Sequence, residues 1–177
     1  MGRKGTIKIS GSAICLALAL VLPLLTGQIQ PMGNMLCPMH LPVLICGFLC
    51  GWQWGFAVGL IAPILRSLIF GAPTMFPRAV AMALELAAYG LLAGLLYKLL
   101  PKKVPCIYLS LFIAMLGGRA VWGIAQFIFA KMLGNEFPMS AFIAGAVTNS
   151  VPGIIVQIVL VPLIVLALKK AKLIANE

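Results

Sequence analysis

Long apolar stretches separated by short turns organise this chain of 177 residues. Crossing about 30 Å of hydrocarbon takes roughly 20 helical residues, and a stretch in lipid must satisfy its own backbone polar groups. The pattern therefore predicts helices over about residues 9–25, 41–51, 56–70, 78–100, 105–129 and 139–168. The second and third fall short of full spanning length, so they are expected to tilt, to run together through GWQWG or to be partly irregular. The expected fold is an all-α integral membrane protein, a compact bundle of six transmembrane helices forming one domain over residues 1–177. The opening MGRKGTIKISGSAICLALALVLPLL has the basic start and apolar core of a signal peptide, but LTGQIQ after it lacks an A-x-A cleavage pattern. It is read as the first membrane helix.

Composition strengthens this reading. A content of 63% hydrophobic and 9% charged residues lies far from that of soluble globular domains. The 13 Lys and Arg against 3 Asp and Glu lie mostly at the ends of apolar segments, not on one polar face. The charge thus reports membrane topology, and nucleic acid is not an expected partner. With six spans, the clusters Arg3, Lys4 and Lys8, then Lys98, Lys102 and Lys103, then Lys169, Lys170 and Lys172 share one side. Both termini are then cytoplasmic, and connectors 26–40, 71–77 and 130–138 are external. The five cysteines lie mostly in apolar runs, where they serve as small hydrophobes.

Ionisable groups inside membrane helices cost several kcal/mol (about 3 or more) unless paired or facing a polar cavity, which makes each a candidate site residue. At about 1.5 Å of rise per residue, Glu85 lies roughly 10 Å below the external end of the fourth helix and Asn149 similarly deep in the sixth. Arg119 on the fifth and Arg66 near the end of the third reach the same external half. Arg78, Met82, Glu85 and Tyr89 recur on one face, as do Arg119, Trp122 and Gln126. Charge, aromatic surface and soft apolar groups together suit a small polar organic molecule better than a bare ion. Glu85 could also pair with Arg119 or Arg66 merely to lock helices together. Three arginines against one membrane acid nevertheless leave positive charge that an anionic substrate group can match.

Three further features bear on function. Ala13 and Ala17 lie one turn apart on the first helix, a small-residue surface that permits close helix approach, either within the bundle or to another protein. GAVTNSVPGIIVQ places Pro152 and Gly153 after Asn149, so the sixth helix can bend and turn carbonyls toward a cavity. The chain contains no P-loop, so any ATP-driven process needs another subunit. The sole histidine, His40, sits in MGNMLCPMHLP of the first external connector. Cys37 and His40 supply at most two good metal ligands, with soft Met35 and Met39 nearby, so His40 is read as a lid or hinge residue.

Six helices, the Ala-xxx-Ala face, the long external connector, the polar cluster and the phrase PVLICGFLCGWQWGFAVGLIAPILRSL together resemble the substrate-binding S-components of energy-coupling-factor (ECF) vitamin transporters. The resemblance implies a multi-pass protein of the bacterial plasma membrane that captures a water-soluble vitamin or precursor externally. It implies partnership through Ala13 and Ala17 with a transmembrane coupling subunit, itself joined to two ATPase subunits, and toppling of the S-component in the membrane. Substrate-binding candidates are Arg66, Arg78, Glu85, Tyr89, Arg119, Trp122, Asn149 and His40, with no cofactor and no catalytic residue expected. Unpaired arginine suggests a carboxylate or phosphate, as in pantothenate; folate, pyridoxine derivatives and queuosine precursors stay open. Three alternatives compete. An intramembrane enzyme would use Glu85 or His40 as base and Cys37 as nucleophile. A metal-uptake S-component resembles family members that begin with Met-His, but here Met39-His40 lies inside the chain and offers no free amine. A channel or structural membrane subunit would show conductance without saturable ligand binding.

Overall fold

A computed structural model describes residues 3–27, 36–134, 138–146, 150–171 and 173–174. Its elements are α1 (Arg3–Gly27), α2 (His40–Cys50), α3 (Trp52–Phe70), a wide turn at Met75–Ala79, α4 (Val80–Leu99), α5 (Val104–Met132), α6 (Met139–Ala146) and α7 (Val151–Lys170). Five helical segments, in α1, α3, the turn with α4, α5 and α7, are long and apolar enough to cross a membrane. Large apolar side chains stand exposed around them, among them Leu68, Leu99, Leu116 and Leu163. On a soluble protein so much exposed apolar surface would be a liability; toward lipid it is the compatible surface.

Two of the expected six helices take a different form. The second apolar run is only the 11-residue α2, about 16 Å long. Every residue of α2 except Leu41 is buried, so its ends meet protein rather than lipid and it need not match the hydrocarbon thickness. It forms the centre of the core, with Val43, Leu44 and Phe48 packed among Leu86, Tyr89, Leu111, Val161 and Val165. A single residue, Gly51 at φ 102°, turns α2 into α3. Only glycine adopts that backbone region freely. The sixth run is divided into α6 and α7, with residues 147–149 between them outside the described set. Pro152 suits the start of α7: it stands in the helix's first turn, where its missing N–H is tolerated and its fixed φ favours helix.

The tightest contact joins α3 to α4. GFAVG, with Gly55 and Gly59, and GLLAG, with Gly90 and Gly94, are both GxxxG pairs that let backbones touch. A Cβ built on Gly90 would strike the backbone carbonyl of Gly55, and one on Gly59 that of Leu86. Backbone cannot rotate away as a side chain can, so Gly90→Leu should lower stability by about 3 kcal/mol or more. A thermal-unfolding midpoint in detergent equal to wild type would show that the two helices part without cost.

On α1 the inward face is Ser12, Cys15 and Ala19, all buried, while Ala13 and Ala17 are exposed on the outer side. Cys15 joins Cys46 and Cys50 of α2 in the core.

Candidate functional site

The first turn of α2, the end of α3, the start of α4 and the second half of α5 surround a cavity of about 440 Å³. Pro23 of α1, with Cys37, Pro38 and Met39 ahead of α2, completes one side, and Ala72 and Pro73 cover another. Ser67 donates a hydrogen bond to the Pro73 carbonyl at 2.7 Å, which ties that connector back onto α3. Phe76 packs against Phe129 with ring centroids 5.1 Å apart, fastening the same connector to α5.

Six of the expected site residues line this cavity: His40, Arg66, Arg78, Glu85, Arg119 and Trp122. Met82 joins them because it lies one turn from both Arg78 and Glu85 on the same face of the helix. Tyr89 is one turn deeper and lies behind the wall, its ring edge-on to His40 at 5.2 Å between centroids. Asn149 lies outside the described residues. His40 departs from the expected loop position. It opens α2 and is only 3% exposed, because the helix that it begins is buried in the bundle.

Electrostatics divides the arginines. Glu85 Oε1 stands 2.9 Å from Arg119 Nη1 and 3.3 Å from His40 Nε2, with the Glu85 side chain 2% exposed. Arg119 Nη2 also donates to Cys37 Sγ at 3.8 Å. The pairing open in the sequence thus falls to Arg119. Arg66 reaches only Met39 Sδ among the described residues, at 3.7 Å, and its buried Nε has no hydrogen-bond partner there. Both ring nitrogens of His40 are likewise buried without a hydrogen bond. Cys37 has its backbone in the left-handed region at φ 46°. Burial pushes its thiol pKa up against the opposing pull of Arg119, so at neutral pH it is held as a thiol, a poor nucleophile. Among the described residues no three His, Cys, Asp or Glu side chains come together as a metal-binding group.

Behind Arg119 and Tyr89 a second cavity of about 310 Å³ is otherwise lined by apolar side chains of α5, α6 and α7. Arg119 lines both cavities.

Comparison with known proteins adds one match: the family described as "ECF transporter, substrate-specific component" covers residues 8–165. The chain belongs to this family. No curated protein and no solved structure gives a significant match. ECF substrate-specific components are membrane subunits that bind a small-molecule substrate and work with ECF transmembrane and ATPase subunits. This is a family of transport subunits, not of enzymes, and it accounts for the apolar exterior and the multi-pass architecture.

Sequence reasoning missed the roles of Met39, as the contact of Arg66, and of Ala72 and Pro73 as a cover. The proline-rich phrase GAPTMFP marked a turn, but nothing local places a turn over a particular cavity.

Proposed function

We propose that this ECF substrate-specific component captures a small, water-soluble, anionic vitamin or precursor in the cavity between α2, α3, α4 and α5. One observation carries the reading: three arginines line a chamber that holds one carboxylate among the described residues. Arg119 stands beside that carboxylate, so positive charge remains for a carboxylate or phosphate on the bound molecule. Pantothenate fits this chemistry. Capture takes place at the external face of a bacterial plasma membrane, with both termini cytoplasmic, in keeping with the Lys and Arg clusters. Release then requires the coupling subunit and its two ATPases, because this chain lacks a P-loop.

The test is mass spectrometry of the small molecules released by denaturing the protein after purification in mild detergent. One organic acid or phosphate ester, present at close to one per chain, is the expected result. A neutral or cationic molecule at that stoichiometry would overturn the anionic assignment. Ion conductance with no saturable uptake would overturn capture itself.

A further inference from the structure

Two partly buried arginines, Arg66 and Arg119, line the cavity with different partners. We infer that Arg66, with Arg78 at the rim, receives the anionic group, and that a hydroxyl or amide elsewhere on the bound molecule meets Glu85 and His40. This rests on the cavity's being the capture site.

Arg66 lies in the last turn and a half of α3, partly buried. Among the described residues no carboxylate oxygen lies within salt-bridge distance of it, and its hydrogen-bond partner is a thioether sulfur at 3.7 Å. Sulfur of this kind is a weak acceptor, so a guanidinium with a buried Nε that no described residue partners lines the cavity with its donors largely unmet by the described residues. Carboxylate and phosphate match its planar fork with two parallel hydrogen bonds. Arg119 shares a buried Nε that no described residue partners but differs at its terminal nitrogens, one of which meets Glu85 and the other Cys37. An anion placed there would compete with a carboxylate already in contact and would be repelled by it.

Glu85 and His40 have the converse requirement. Glu85 Oε1 is buried with a cation and an imidazole close by, yet neither contact has hydrogen-bond geometry. Both His40 nitrogens are unmet as well, in a ring 3% exposed. A hydroxyl can donate to the carboxylate while accepting from an imidazole N–H, and an amide can do the same with its N–H and C=O. Buried polar groups are rarely left unpaired, so this corner selects a neutral hydrogen-bonding end rather than a second charge. The site thus takes a molecule that carries both an acid and a hydroxyl or amide, in a cavity that Met82 and Trp122 also line.

The experiment measures binding of matched acid and neutral compounds: pantothenate with pantothenol, nicotinate with nicotinamide, biotin with its amide, and pyridoxine 5′-phosphate with pyridoxine. The proteins are wild type, Arg66→Gln, and the double variant Glu85→Gln/Arg119→Gln, which leaves no lone buried charge. Wild type should prefer one acid over its neutral partner by about 30-fold or more, the scale of a lost charge-paired contact. In Arg66→Gln that preference should collapse, with the acid losing far more affinity than the neutral compound. In the double variant both members of the pair should bind more weakly, with the preference retained. Preference intact in Arg66→Gln, or lost only in the double variant, would overturn the assignment and give the anion to Arg119. Binding of a neutral or cationic compound alone by wild type would overturn the orientation while leaving solute capture standing. If nothing in the panel binds and no small molecule accompanies the purified protein, the capture reading fails together with it.

Discussion

Ala17→Trp is expected to cut substrate uptake by about tenfold or more while leaving substrate affinity unchanged, because helices that associate through small residues must bring their backbones close. Ala13 and Ala17 are exposed on the outer side of α1, opposite buried Ser12, Cys15 and Ala19. An indole at either position therefore points away from the protein's own core. Neither alanine lines the cavity, which α1 touches only through Pro23. Affinity, pull-down of the coupling subunit and cellular uptake should be measured on the same Ala13→Trp and Ala17→Trp proteins. Normal association and uptake would remove this face as the docking surface. Loss of ligand binding would show that α1 repacks against the bundle.

Glu85→Ala should destabilise the protein by roughly 3 to 5 kcal/mol, the cost of stranding one member of a buried ion pair. The carboxylate is 2% exposed and the Arg119 side chain 14% exposed, so water can do little to solvate the cation that remains. Pairing Glu85→Ala with Arg119→Met should recover much of the loss, since removing both charges leaves no uncompensated group. Thermal unfolding of wild type, both single variants and the double variant decides the matter. Additive losses would mean that the 2.9 Å contact carries no coupling and that both residues serve the ligand independently.

Recognition of the fold class needed little more than the apolar runs, since a membrane segment must form its hydrogen bonds internally and helices do so locally. The same local geometry made half of the site legible. Arg78, Met82 and Glu85 share a face, as do Arg119 and Trp122, because residues three, four and seven apart on a helix point the same way wherever that helix packs. The family was suggested by a resemblance, carried by the Ala-xxx-Ala face, the long connector, the polar cluster and the phrase PVLICGFLCGWQWGFAVGLIAPILRSL, and the match over residues 8–165 establishes it.

What only the tertiary structure decided lies between helices. Sequence spacing offered Glu85 to either Arg66 or Arg119; the rotation and crossing of α4 against α5 gave it to Arg119. It also gave no reason to take His40 out of a loop, whereas burial of α2 sets that ring against Glu85 and Tyr89. The short α2 tolerates 11 residues because neighbouring protein, not lipid, surrounds it. The contact of Gly55 with Gly90 was present in the sequence as two ordinary GxxxG pairs, but which pairs meet depends on how the helices cross. Periodicity within a helix follows from backbone hydrogen bonds a few residues apart, so the chain carries it locally. Pairing across helices follows from the packing of all the elements at once, and no local stretch contains it.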